Sequence, residues 1–100
     1  MSSYCLNEDK DIELVKDFFS LLSEPNRIKI LCLLWKDDKL CVCEIAEALG
    51  LKQNLVSHHL SMFKRIQLLD SERIWISIYY KINQQNYAKL KKLVSNILNI

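Results

Sequence analysis

Two cysteines separated by a single residue, Cys41 and Cys43, are the part of this chain best equipped for chemistry. Thiolates are the donors that soft ions prefer, and a pair this close invites either a shared ion or oxidation. Geometry constrains the choice. In a regular helix, residues two apart point roughly 200° away from each other, whereas in an extended segment they share a face. Both sulfurs can therefore serve one ion only where a helix start is unwound, which sets the pair at the junction of a loop and a helix. Free backbone N–H groups and the helix dipole there favour the ionised thiol. The spacing leaves a plainer reading open, in which the two are small, semi-buried side chains at a helix start. A lone Cys-x-Cys supplies only two of the three or four donors that such ions want.

A second group of residues suits contact with nucleic acid. Gln53, Asn54, Ser57, His58 and Ser61 fall on the side opposite Val56, Leu60 and Phe63. Gln and Asn can pair bidentately with adenine, Ser57 can reach a base or a phosphate, and His58 can bond a guanine or a phosphate. Lys52, Lys64, Arg65 and Arg73 would add salt-dependent contacts to the backbone of the duplex. By spacing alone, the same pattern is equally the solvated face of an amphipathic helix. His59 differs from its neighbour, because it borders Val56 and Leu60 and reads as a packing or hydrogen-bonding histidine.

The elements that must hold these residues follow from periodicity and punctuation. Asp11 to Leu22 reads as a first helix, with Ile12, Val15, Phe19 and Leu22 on one stripe and Leu14, Phe18 and Leu21 beside it, a face wide enough for burial on two sides. Ser23 is a candidate N-cap and Pro25 fits a first turn, so a second helix should run from about Glu24 to Trp35, its core stripe being Ile28, Leu31 and Leu34. Asp37, Asp38 and Lys39 form a loop. Cys43 to Leu49 predicts a short third helix ended by Gly50, and Lys52 to Ile66 a fourth, together a helix-turn-helix over residues 41–66. Residues 68–82, rich in Ile, Trp and Tyr and interrupted by Asp70, Ser71, Glu72 and Arg73, read as a two-stranded hairpin, or wing. Tyr87, Leu90, Val94, Ile97 and Leu98 mark a last amphipathic helix. The fold class is mainly α with a small β-hairpin, one domain over residues 1–100 with a flexible tail at 1–10.

Composition limits the partners. One hundred residues with half of them apolar can build one compact core, and a second chain would help to cover it. One Gly and one Pro are too few for an all-β fold. No apolar run reaches the roughly 18 to 20 residues of a membrane span, and the start of the chain has neither the basic nor the apolar segment of an export signal. A cytoplasmic location is expected, where four cysteines are not a disulfide framework. The net charge of +2 is modest but unevenly spread. Acids crowd residues 1–25, while residues 81–100 carry Lys81, Lys89, Lys91 and Lys92 and no acid, so the two ends are complementary.

The run Leu40-Cys41-Val42-Cys43-Glu44-Ile45-Ala46-Glu47-Ala48-Leu49-Gly50, continuing to Ser57-His58-His59-Leu60, resembles the core of the ArsR/SmtB family of metal-responsive repressors. That family is marked by a Leu-Cys-Val-Cys box and a Ser-x-His-Leu in the recognition helix. Leu22 to Leu31 is similar to its second-helix signature and Ile78 to Ile82 to the end of its wing, so the likeness spans residues 12–82. It implies a winged helix-turn-helix homodimer joined through the first and last helices, with two recognition helices on a palindromic double-stranded DNA operator and no membrane partner. It also implies a thiolate-bound inducer at Cys41 and Cys43, As(III) or Sb(III) first and Cd(II) or Pb(II) next, and no organic cofactor. Arsenite-sensing relatives with all their ligands in this helix carry a further cysteine where this chain has Ala46, while others recruit an N-terminal cysteine of the partner subunit, a part Cys5 could take. Cys32 faces Lys29 and Lys36 and reads as an uninvolved thiol. The family's other site, of Asp and His on the last helix, has no counterpart in residues 84–100. Two departures concern the wing: Gln67 stands where a glycine usually precedes it, and its tip around Arg73, Ile74 and Trp75 lacks glycine.

Two other functions compete. The same fold could carry the cysteines as a redox or persulfide switch, or serve as a protein-interaction module that no longer binds DNA. An enzyme is disfavoured, because there is no glycine-rich phosphate loop, no evident carboxylate pair, and both histidines lie on one helix without a third partner.

Overall fold

The computed structural model describes residue 6 and residues 8–100. In chain order these form α1 (Asp9–Leu21), α2 (Pro25–Lys36), β1 (Leu40–Cys41), α3 (Val42–Leu49), α4 (Gln53–Arg65), β2 (Leu69–Ile74), β3 (Ser77–Ile82) and α5 (Gln84–Leu98). The arrangement is a winged helix-turn-helix, mainly helical, with α3 and α4 as the helix pair and β2–β3 as the wing.

Local chemistry sets most of the boundaries. Glu24, rather than Ser23, caps α2: its carboxylate accepts from the backbone N–H of Asn26 at 3.1 Å, with Pro25 in the first helical position. The Ser23 hydroxyl instead donates to the Ser20 carbonyl at 2.6 Å, closing off α1. Gly50 takes the left-handed conformation (φ 66°, ψ 34°) that ends α3, so α4 can begin three residues later. α1 starts at Asp9 and Leu6 is buried in the core, so Asp9 and Lys10 are helical where a flexible tail was expected to reach residue 10.

The core is one cluster. Ile30, Ile45, Val56, Leu60 and Phe63 are fully buried, joined by Leu68, Leu69 and Leu90. In α2 the buried stripe is Ile30, Leu31 and Leu34; Ile28, expected inside, is exposed, and Cys32 is exposed as its neighbours implied. In α1 only one side of the wide apolar face is covered: Val15, Phe18 and Leu21 are buried, while Ile12 and Phe19 remain exposed. α1 packs on α5, where the Lys89 ammonium lies 3.7 Å from the Asp11 carboxylate, a first instance of the charge complementarity between the chain ends.

The sheet corrects two expectations. It has three strands in the order β1-β3-β2, all antiparallel, since Leu40 and Cys41 pair with Tyr80 and Tyr79. The polar run Asp70 to Arg73 does not interrupt the hairpin but lies inside β2, paired with Ile78 to Lys81. A strand edge tolerates such residues because alternate side chains point to solvent. The reversal falls at Trp75 and Ile76, between the paired Ile74 and Ser77. Gln67 (φ 65°) and Trp75 (φ 60°) both take left-handed backbone, so the two places where the wing lacks glycine keep the conformation that glycine favours.

Candidate thiolate and nucleic-acid-binding site

Cys41 belongs to two elements at once. It ends β1 and is the N-cap of α3, with extended backbone (φ −83°, ψ 163°) and only 3% of its surface exposed. Its Sγ accepts from the Glu44 backbone N–H at 3.3 Å, and the Glu44 carboxylate accepts from the Cys41 backbone N–H at 2.9 Å. This is a capping box in which a sulfur replaces the usual hydroxyl. The sequence reading passed over Glu44, although Cys-x-x-Glu has the spacing of a Ser-x-x-Glu box.

Cys43 is the second residue of α3 and is exposed. Its sulfur meets that of Cys41 as a disulfide pair, across a Cα–Cα distance of 5.4 Å. The pair therefore lies at the junction of an extended segment and a helix, where the spacing set it. An N-cap residue is already non-helical, and its side chain folds back over the first turn, so the pair converges with α3 intact. A bridge across two residues staples no distant segments, so it is not a framework disulfide. Reduced to thiolates, two sulfurs at a helix N-terminus fit part of the shell of a soft ion. Among the described residues no group of three or more His, Cys, Asp and Glu side chains gathers to complete one. Cys5, the candidate third ligand, lies outside the described residues, and Cys32 is a free thiol on α2.

The sulfurs open onto a cleft of about 210 Å³ whose other walls are Val42, Gln53, Ser57 and the wing residues Ile76, Ser77 and Ile78. Gln53 and Ser57 sit in the first turns of α4, so the thiol pair and the helix with the base-reading pattern share one cavity. Lys52 holds the N-cap position of α4 without a side-chain cap bond, and Lys52, Gln53, Asn54, Ser57, His58 and Ser61 are all exposed. The Ser61 hydroxyl donates to the His58 carbonyl at 2.7 Å, leaving its oxygen free to accept. Lys64 donates to the Ser71 hydroxyl, which ties the end of α4 to β2, and the Arg73 Nε donates to the Trp75 carbonyl at 3.2 Å. These last two cations are engaged within the wing as well as exposed. Lys39 bridges to Glu72 at 3.1 Å, bracing the wing from the loop before β1.

The other face of α4 is anchored by His59, 4% exposed. Arg27 Nε donates to His59 Nδ1 at 3.0 Å, and His59 Nε2 lies 3.5 Å from the Glu24 carboxylate. Burial holds the imidazole below its usual pKa, with the Arg27 charge adding to the effect, Glu24 opposing it and His58 adding a little. A neutral ring accepting from Arg27 joins α4 to the start of α2. This is the hydrogen-bonding role that its place on the apolar border suggested.

Comparison with known proteins bears on the same surfaces. Residues 24–71 match the family described as "Bacterial regulatory protein, arsR family". The cadmium resistance transcriptional regulatory protein CadC of Listeria innocua is 34% identical over 103 residues, covering 92% of this chain and 87% of that protein. The arsenic resistance transcriptional regulator ArsR1 of Pseudomonas putida is 30% identical over 67 residues, 67% of this chain and 52% of the relative. Among solved structures, the homodimeric winged helix-turn-helix DNA-binding domain of a Mycobacterium bovis protein superposes with a TM-score of 0.70 at 25% identity, over 99% of this chain and 91% of that one.

Proposed function

Because the chain belongs to the arsR family of bacterial regulatory proteins, whose members are transcriptional regulators and not enzymes, we propose that it is a cytoplasmic repressor. In this reading it binds a palindromic operator as a homodimer and lets go when Cys41 and Cys43 take up a thiophilic metal or metalloid ion. The observation that carries the reading is the shared cleft, in which the sulfurs and the first turns of α4 form walls of one cavity.

Gln53, Asn54, Ser57 and His58 read base edges from the major groove, Ser61 stands one turn further along, and Lys52, Lys64 and Arg73 contact phosphates. The dimer is made by α1 and α5, whose uncovered apolar residues Ile12, Phe19, Ile97 and Leu98 need a partner surface. Cys41 and Cys43 hold the ion, with Cys5 as third thiolate. A three-sulfur shell suits As(III) or Sb(III) best and Cd(II) or Pb(II) next. When bound, the ion supplies a fixed charge and bulk beside α4. Cys41 transmits the event because it caps α3, and α3 packs on α4.

The test is a titration of reduced protein with As(III), Sb(III), Cd(II), Pb(II) and Zn(II), following sulfur-to-metal ultraviolet absorption and the fluorescence anisotropy of a duplex selected by the wild-type protein. Cys41→Ser and Cys43→Ser should stay on the duplex at ion concentrations that release wild type, and Cys5→Ser should weaken ion binding. Release of the double serine variant by the ion would refute the assigned ligands.

The disulfide pairing of Cys41 with Cys43 supports a second reading, a thiol switch. Hydrogen peroxide would accept one electron and one proton from each thiol and leave as two waters, joining the sulfurs. Release by peroxide that dithiothreitol reverses, with no absorption band on adding ions, would select it.

A further inference from the structure

The wing ends in two large apolar side chains that their own fold does not cover. Trp75 and Ile76 are each 91% exposed and form the whole of the loop joining β2 to β3. Trp75 also holds φ at 60°, while Ile76 keeps φ negative, the pattern of a hairpin turn whose first position prefers glycine. A tip chosen for turn geometry alone would carry Gly or Asn there, and a tip chosen for solubility would carry neither Trp nor Ile. Strain of this kind persists where the side chain has work to do.

The tip is held in place. Ile74 pairs with Ser77 immediately beneath it, Arg73 Nε is bonded to the Trp75 carbonyl at 3.2 Å, and β3 is flanked by β1 on its other edge. Its location is also fixed relative to α4, because Ile76, Ser77 and Ile78 line the same cleft as Gln53 and Ser57. The tip is thus continuous with the surface assigned to the major groove. A hairpin beside a helix in that groove meets the backbone and the adjoining minor groove. The neighbouring charge is suitable, since Arg73 flanks the tip and the segment from residue 74 to residue 80 has no acid.

Resting on the DNA-binding reading, we infer that Trp75, backed by Ile76, is an apolar wedge that enters the minor groove and stacks on a base at an opened step, with Arg73 on the adjacent phosphates. Side chains inserted in this way kink a duplex, and pyrimidine–purine steps open most cheaply. The wing then selects sequence by deformability at a position where it makes no hydrogen bond to a base.

The experiment uses full-length protein carrying Trp35→Phe, which leaves Trp75 as the only tryptophan of the two present. The probe is a duplex recovered from a randomised library by the wild-type protein, with 2-aminopurine placed at successive steps. Binding should quench Trp75 emission and brighten 2-aminopurine at one step. Trp75→Ala should lose the 2-aminopurine signal, bind roughly ten-fold more weakly or worse, and lose the preference at that step. Trp75→Gly should do the same while its thermal midpoint holds or rises, because glycine takes this backbone without strain; the loss is then not one of folding. Unchanged affinity in both variants overturns the wedge, as does a uniform loss on all duplexes with the 2-aminopurine signal intact. Tight wild-type binding that ignores Trp75 removes the wedge alone, and Trp75-dependent self-association in that case assigns the tip to a second copy of the chain. A wild-type protein that enriches no duplex removes the DNA-binding reading and the wedge with it.

Discussion

Cys41→Ala and Cys41→Ser should separate sharply in stability although each removes the same sulfur. Cys41 Sγ satisfies the Glu44 backbone N–H, one of the donors that a helix start leaves without an intrahelical partner. Losing an N-cap acceptor costs about 1 kcal/mol. Removing one buried heavy atom from a side chain 3% exposed adds, by comparison with a methylene, about 0.8 kcal/mol. Cys41→Ala should therefore lose about 2 kcal/mol, and in a domain of this size each kcal/mol moves the thermal midpoint by about 4–8 °C, so the fall is on the order of 10 °C. Serine restores the acceptor and completes the usual Ser-x-x-Glu box with Glu44, so Cys41→Ser should lose less than about 1 kcal/mol. Urea and thermal unfolding at one protein concentration, under reductant so that no disulfide forms, measure the difference. Equal midpoints for the two variants would mean that the sulfur does not cap α3, and the argument tying the thiol to the helix would fall.

Two further outcomes follow from the same geometry. The folded-state pKa of His59 is lowered, so the unfolded chain takes up the extra proton first; stability should be complete above about pH 6.5 and decline as pH falls toward the lowered value, by at most about 1.4 kcal/mol per pH unit. Equilibrium unfolding across that window should show the slope in wild type and not in His59→Gln. At two of the left-handed positions the substitutions should have opposite signs: Gly50→Ala meets no neighbour within 4 Å, yet should destabilise by about 1 kcal/mol through backbone strain alone, whereas Gln67→Gly should be neutral or stabilising by a few tenths of a kcal/mol. Thermal melts that show both changes destabilising would contradict the backbone assignment.

The sequence is informative where a residue acts on its near neighbours. Pro25 and Gly50 marked the ends of helices, and the spacing of Val56, Leu60 and Phe63 separated the buried side of α4 from the exposed one. It is silent where pairing is distant. β1 is only two residues long and exists because Leu40 and Cys41 meet Tyr80 and Tyr79, some 40 residues away. The partners of His59 lie on α2, and nothing in the spacing of Glu24 and Arg27 announces them. The tip, expected around Arg73, Ile74 and Trp75, falls at Trp75 and Ile76; what the sequence hides is that the polar run Asp70 to Arg73 is paired strand, because the exposed face of β2 uses residues that usually signal a reversal. The junction that holds the sulfurs was legible too, because a helix beginning at about Cys43 leaves Cys41 extended before it, and Cys41 is the extended N-cap of α3.

That geometry limits how ion capture, in the proposed repressor, would reach DNA. If the sulfurs meet with α3 intact, release does not require unwinding the helix. The cap offers one coupling: an ionised sulfur accepts the Glu44 N–H about twice as strongly as a neutral one, a gain of about 1 kcal/mol per subunit. Two subunits supply about 2 kcal/mol, whereas moving an operator from almost full to almost empty takes about 5.5 kcal/mol. The cap is too weak to be the whole switch. The balance has to come from the cleft, where anything held on the sulfurs abuts Gln53 and Ser57 on one side and Ile76 to Ile78 on the other. Ile78→Ala widens that cleft without removing a sulfur or a side chain proposed to read bases. It should leave ion affinity near that of wild type while lowering the ratio of operator affinities without and with ion by about ten-fold. An unchanged ratio, read from anisotropy titrations with and without ion, would return the coupling to the α3 cap and require a larger movement there than the cap energy allows.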